Sequence, residues 1–327
     1  MLRFALAGTL ALALASPASA QSMQSAQSWP TKPVHWVLSQ APGSSPDIVA
    51  RLLADRLSQV WGKAVVVENK PGGQNVIGAI AAARASPDGY TFYYGTTAAL
   101  VLNAYTFKTP PYDARKDFVP VAMIGQSPFV VAVNPSVPIN SLAELVAYGK
   151  ANPGKLSVAT EGQKTFSGMM SEMLATTAGF KMVAVPYSGV QPGILDTIAG
   201  RTDLTVQAVA ATMQHLKRGA LRPIAVTSAK RVPGLEQVPT LSETYPGFQY
   251  VGWHAVVAPA GTPPEVIKRF NADLDAVLRD PDVIRRLFDL GIIVDGGAGT
   301  PEQLGEYLKA EHARWGKLAS DIGVVPE

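Results

Sequence analysis

Cysteine is absent from this 327-residue chain, which excludes disulfide staples, a thiol nucleophile and a lipid-bearing cysteine. Charge of one sign is also scarce. The 28 Lys+Arg stand against 25 Asp+Glu, with no long run of like charges and no basic patch interleaved with aromatics, so nucleic acid is not an expected partner. There are four histidines, His35, His215, His254 and His312. None belongs to an H-E-x-x-H or comparable pair, and neither a G-x-S-x-G elbow nor a Walker loop occurs. No metal, cofactor or catalytic residue is therefore expected. We expect His35 and His254 in the core or on a cleft wall and His312 exposed. Past the first residues, no apolar run approaches the roughly eighteen that a membrane span needs, and no internal repeat is found.

What is present begins with a leader. Arg3 supplies a positive start, residues 4–15 an apolar run, and Ala18-Ser19-Ala20 a small-residue cleavage site. Residues 1–20 therefore read as a secretory signal peptide whose core is too short to span a bilayer. A periplasmic, untethered protein is expected. Losing Arg3 with the leader lowers the net charge from +3 to +2. Residues 21–28 read as a polar, disordered leader. The remaining length exceeds one comfortable core, so two lobes are expected.

From Trp29 short β-rich runs alternate with helical ones. Strands are predicted over 34–38, 64–68, 90–94, 118–124, 129–134, 156–159, 182–186, 204–208, 222–228 and 250–258. Helices are predicted over 46–60, 76–85, 141–150, 168–178, 191–199, 211–217, 264–278, 281–290 and 301–320. This alternation predicts an α/β fold, each lobe a mainly parallel sheet flanked by helices. Gly125, Gln126, Ser127 and Pro128 break two apolar strands and read as a crossover. Ser141 with Glu144 reads as a capping box. Asn69-Lys70-Pro71-Gly72-Gly73 lacks the dinucleotide spacing and reads as a structural loop.

The most informative stretch is 34–47, where an apolar strand turns directly into an amphipathic helix. Ser45 reads as the N-cap, Pro46 as the first helical residue and Asp47 as an acid suited to the positive dipole end. Gly43, Ser44 and Ser45 are small enough to let an anion approach the unpaired N–H groups of that helix start. The stretch 160–167 repeats the device, with Thr165 or Ser167 as cap. Gly95-Thr96-Thr97-Ala98 and Tyr187-Ser188-Gly189-Val190 are two more polar loops after strands. Because ligands of open α/β sheets sit outside the strand carboxyl ends, two facing lobes would enclose a small anion between these corners.

The runs Trp29-Pro30-Thr31-Lys32-Pro33-Val34, Pro42-Gly43-Ser44-Ser45-Pro46-Asp47, Val67-Glu68-Asn69-Lys70-Pro71-Gly72 and Pro87-Asp88-Gly89-Tyr90-Thr91 follow one another in order. Pro111-Tyr112-Asp113, Val185-Pro186-Tyr187, Ala225-Val226-Thr227-Ser228-Ala229-Lys230-Arg231 and Ala258-Pro259-Ala260-Gly261-Thr262-Pro263 come later. Across nearly the whole mature chain this resembles the substrate-binding proteins of tripartite tricarboxylate transporters, often called Bug receptors. The resemblance implies a two-lobed periplasmic binding protein of the Venus-flytrap, type II-like kind. It would deliver a small carboxylate to membrane permease subunits, as a monomer and without catalysis. The lobes would comprise 29–124 with 252–327, and 125–251. A receptor serving a membrane sensor kinase, or a secreted hydrolase, are the alternatives.

Carried over by position, the resemblance implies binding residues Gln40, Ala41, Gly43, Ser44, Ser45 and Asp47 in the first loop. Thr96 and Thr97 follow the third strand. Thr160, Glu161, Lys164, Thr165, Phe166 and Ser167 form the second-lobe loop, with Tyr187 and Gln207 on neighbouring strand ends. Gln40 stands where the family tends to carry an aromatic ring. Glu161, Gln163, Lys164 and Phe166 stand in a run usually made of Ser, Gly and Asn. Phe166 would stack on a planar ligand or pack against the ridge of Met169 and Met173. Lys164 would be a counter-ion for a second carboxylate or a solvated lysine. Glu161 would repel a carboxylate unless it pairs with Lys164 or faces water. Asp47 would cap its helix or accept from a protonated ligand group, and we expect capping. Phe166, Lys164 and Gln40 together point toward an aromatic dicarboxylate such as terephthalate.

Overall fold

A computed structural model describes residues 29–321 and 326; the signal-peptide and leader readings over 1–20 and 21–28 lie outside the described residues. Among the described residues, apolar, β-branched runs form ten strands: β1 Val34–Leu38, β2 Val65–Asn69, β3 Thr91–Thr96, β4 Phe118–Ser127, β5 Phe129–Val133, β6 Leu156–Thr160, β7 Met182–Pro186, β8 Leu204–Ala208, β9 Arg222–Val226 and β10 Gly252–Pro259. They build two five-stranded sheets, ordered β2-β1-β3-β10-β4 and β7-β6-β8-β5-β9. In the first, β2, β1 and β3 are parallel and β10 runs against both β3 and β4. In the second, β7, β6 and β8 are parallel and β5 runs against β8 and β9. Each sheet therefore has four strands in one direction and a single reversed strand. β8 and β10 are buried along their whole length, as strands covered on both faces should be.

The reversed strands lie beside the chain crossings. β4 reaches Ser127, and Pro128 alone separates it from β5. The expected break at Gly125, Gln126 and Ser127 does not occur, because all three pair with β10 and Gln126 also bridges Ile293. The chain returns where Tyr250 donates its N–H to the Thr227 carbonyl at 3.1 Å, just before β10.

The first sheet is locked by an aromatic cluster. Phe270, on the helix Pro264–Leu278, is fully buried and lies 4.2 Å from Phe92, 5.4 Å from Trp61, 5.8 Å from Trp36 and 6.1 Å from Trp29 between ring centroids. Such tilted and edge-to-face pairs add to what burial alone supplies. His312 proves buried, not exposed: Tyr105 donates its hydroxyl to the His312 carbonyl at 2.6 Å. His35 proves half-exposed, with Nδ1 2.5 Å from Glu68 Oε1.

Two caps differ from expectation. The helix Ser45–Trp61 is capped by extended Ser44, so Ser45 is already helical. The Ser44 hydroxyl donates to the Ala41 carbonyl at 2.7 Å, and Ser45 Oγ meets Ser127 Oγ at 3.0 Å. At the helix Leu142–Ala151, Ser141 accepts from the Glu144 N–H, but the Glu144 carboxylate reaches past the cap to the Asn140 N–H at 2.7 Å. The capping box is therefore displaced by one residue.

Candidate functional site

A cavity of about 190 Å³ lies between the two sheets. Its walls are the carboxyl ends of parallel strands from both, as the rule for open α/β sheets requires. From the first sheet come Ser39, Gln40, Ala41, Ser44, Ser45 and Pro46 after β1. Pro71, Gly72, Gln74 and Asn75 follow β2, and Thr96 and Thr97 lie at and just after the end of β3. From the second come Glu161, Thr165, Phe166 and Ser167 after β6, Ser188, Gly189 and Val190 after β7, and Gln207 and Ala208 at the end of β8. Ser127, Phe129, Gly252, Trp253 and His254 close the cavity where the chain crosses.

The first corner is held by side-chain bonds. Gln40 donates Nε2 to Asn75 Oδ1 and to Thr96 Oγ1, both at 3.1 Å. Ser39 Oγ meets the Tyr93 hydroxyl at 2.6 Å, and Thr97 Oγ1 accepts from the Trp253 N–H at 3.1 Å. Gly43 takes a positive φ of 77°, a region costly for residues with a Cβ. Its carbonyl accepts from Gln191 Nε2 at 2.8 Å, a bond that ties the first corner to the helix Val190–Ile198 of the other lobe.

The second corner uses Thr165 as the cap of the helix Phe166–Ala178, accepting from the Gly168 N–H at 3.2 Å. The turn admits only glycine at 168, since a Cβ there would stand 2.1 Å from the Gly162 carbonyl oxygen. Glu161 turns its carboxylate back over this helix start. It accepts from Ser167 Oγ at 2.5 Å and from Gln207 Nε2. Burial raises the Glu161 carboxyl above its ordinary value, and those two bonds offset part of the rise. Phe166 is 7 % exposed and sits between Phe129, at 4.5 Å, and Trp315, at 5.7 Å. It thus packs in the core and still contributes to the cavity wall.

Eleven of the sixteen residues named from sequence meet on this cavity: Gln40, Ala41, Ser44, Ser45, Thr96, Thr97, Glu161, Thr165, Phe166, Ser167 and Gln207. Five do not line it. Gly43 shapes the turn behind it. Asp47 is buried and accepts from the Gly43 N–H at 2.9 Å, Arg51 Nε at 2.9 Å and Asn69 Nδ2 at 3.0 Å. Burial acts to raise its carboxyl, but these bonds outweigh that and leave it below the usual range. Thr160 accepts from the Gly162 N–H. Lys164 reaches the Thr106 carbonyl at 3.4 Å. Tyr187 donates its hydroxyl to Asp196 at 3.0 Å.

The loop read as purely structural, with Pro71 and Gly72, belongs to the cavity wall together with Gln74 and Asn75. Its signal was the same as at the other corners, a polar glycine cluster at the carboxyl end of a parallel strand. Trp253 and His254 are both buried and on the cavity wall. Burial holds the His254 imidazole neutral, with its pKa lowered to about 3, and the Tyr94 hydroxyl lies 3.2 Å from its Nδ1. Among the described residues no cluster of three or more acids and histidines is placed to hold a metal, and no helix is long and apolar enough to cross a membrane.

Two mixed α/β sheets that share one polar-ended cavity define a two-lobed solute-binding protein. More narrowly, the chain belongs to the tripartite tricarboxylate transporter receptor family, whose model matches residues 49–324. These are periplasmic solute-binding receptors rather than a family of enzymes. The UPF0065 protein of the tcbD–tcbE intergenic region of Pseudomonas sp. (strain P51) is 36% identical over 309 residues, covering 94% of this chain and 91% of its own. The structure of the periplasmic binding protein BugD superposes with a TM-score of 0.87 at 33% identity, over 91% of this chain and 100% of that one. An R. palustris protein solved with adipate superposes with a TM-score of 0.86 at 35% identity, again over 91% and 100%.

Proposed function

We propose that this chain is a periplasmic receptor that captures a small carboxylate between its lobes and delivers it, as a monomer, to the permease of a tripartite transporter. The observation that carries the reading is the convergence of two strand-to-helix corners, one from each sheet, on a single cavity. A carboxylate at the Ser44 and Ser45 corner meets the positive end of a 17-residue helix. Charge-assisted bonds of about 1.5–3 kcal/mol each are strong enough, in a group of four or five, to reach micromolar affinity after association costs. The relative solved with adipate supports a small acid as ligand.

Size and lining narrow the class. A cavity of about 150 Å³ holds benzene, so about 190 Å³ suits an acid of one ring or a short chain. Phe129, Phe166 and Trp253 on its wall favour a flat aromatic acid over a citrate-like one. The lysine expected to meet a second carboxylate, Lys164, is not on the cavity wall.

Binding is coupled to closure, because a ligand touching both lobes stabilises only the closed form. The moving bodies are 29–127 with 252–321, and 129–251, hinged where the chain crosses near Pro128 and Tyr250. Thermal-shift and small-angle scattering measurements with benzoate, terephthalate, adipate and citrate test this. An aromatic acid should raise the Tm and reduce the scattering radius. Stabilisation by citrate alone would reject the aromatic assignment, and no response to any acid would reject the receptor reading.

A further inference from the structure

The cavity is short of cations and rich in acceptors. Of its lining residues only Glu161 and His254 are ionisable, and among the described residues no Lys or Arg lines it. A carboxylate offers about four lone-pair positions; Ser167 and Gln207 supply one donor each to Glu161 and its own backbone N–H a third. About one accepting position remains for a ligand. Two further lining residues, Gln40 and Gln74, each bury an amide oxygen that has no hydrogen-bond partner. An acceptor left unmatched costs free energy, so the Glu161 end of the cavity is complementary to a group that donates. A hydroxyl has one donor, a carboxamide two and an ammonium three.

We propose that Glu161 determines specificity: the receptor takes an acid that carries an N–H-bearing group, carboxamide or protonated amine, opposite its carboxylate, and discriminates against the matching dicarboxylate. This rests on the receptor reading above and adds the chemistry of the second end of the ligand. A second carboxylate placed there would meet a like charge with no lining cation to offset it, which disfavours binding. The carboxylate end belongs to the Ser44 and Ser45 corner. The N–H end faces Glu161, whose burial favours a partner that donates to it.

Isothermal titration of the full-length mature receptor against matched pairs tests the proposal. The pairs are terephthalate against 4-carbamoylbenzoate and 4-(aminomethyl)benzoate, and adipate against 6-aminohexanoate. The N–H-bearing member of a pair should bind about tenfold tighter or better; the carbamoyl and aminomethyl acids then separate the amide from the amine source. In Glu161→Gln that preference should shrink by about tenfold. The wild-type pairs decide the matter even if the variant fails to fold. Dicarboxylates binding as tightly as their N–H counterparts would overturn this proposal and leave the receptor reading standing. Failure of every acid to bind would remove the receptor reading itself.

Discussion

Gln191→Ala isolates the contribution of lobe closure to affinity. Gln191 Nε2 donates to the Gly43 carbonyl at 2.8 Å, and the two residues flank different sheets, so under the proposed hinge motion the bond is made on closure and lost on opening. A neutral intramolecular bond of this kind contributes about 0.5–1.5 kcal/mol net. Its loss falls entirely on the closed form and should weaken ligand binding by about 2- to 13-fold, with the Tm of the unliganded protein nearly unchanged. Gly43→Ala adds a second arm. The positive φ of 77° at Gly43 costs an alanine about 1–2 kcal/mol in either form, which lowers the Tm. The new Cβ would also stand 2.9 Å from Gln191 Cγ, a collision that again penalises closure. Combined with Gln191→Ala that collision disappears, so the double variant should lose less affinity than the two single losses predict. Calorimetry supplies the affinities and scattering the closed fraction. Unchanged affinity in Gln191→Ala, or strict additivity in the double variant, would refute closure through this contact.

Three further outcomes follow from the geometry. Asp47→Ala removes an acceptor holding the Gly43 N–H, Arg51 and Asn69 together and should lower stability by about 2 kcal/mol. Because the Asp47 carboxyl is held below its ordinary value, its contribution is present above about pH 4 and is lost as the pH falls through the folded value; denaturant titrations at several pH values read this. His254 is buried neutral with a pKa of about 3 against 6.5, so the unfolded chain binds a proton first as the pH falls. Stability should then drop by about 1.4 kcal/mol per pH unit below 6.5, and His254→Gln should flatten that slope; an unchanged slope would show that the imidazole is charged in the fold. Phe270→Ala, at the centre of the aromatic cluster, should cost about 3–5 kcal/mol in chemical denaturation while sparing affinity in the folded fraction.

Element type was legible because the periodicities are local. Strands at 34–38, 182–186 and 204–208 and the helix at 264–278 were readable to the residue, since turn residues bound each apolar run. Boundaries failed where a partner from elsewhere extended an element. Gly125, Gln126 and Ser127 look like a breaker, yet pairing with β10 keeps them in a strand. The cap falls at Ser44 rather than Ser45, whose hydroxyl instead meets that of Ser127, 82 residues away. The loop of Gln74 and Asn75 reads as structural because glycine-rich turns after strands usually are, and only the position of β2 beside β1 brings this one to the cavity.

By itself the sequence settled the family, the α/β architecture and the polar corners where an anion would be met, because capping residues and hydrophobic period are properties of neighbouring residues. Tertiary structure decided which of those corners share a cavity and which side chains spend their charge elsewhere. Asp47 and Lys164 look as available as Glu161 in the sequence. Asp47 is consumed by Gly43, Arg51 and Asn69, Lys164 turns to the Thr106 carbonyl, and Glu161 alone of the three lines the cavity. The difference lies in partners tens of residues away, whose approach is set by packing and not by local pattern.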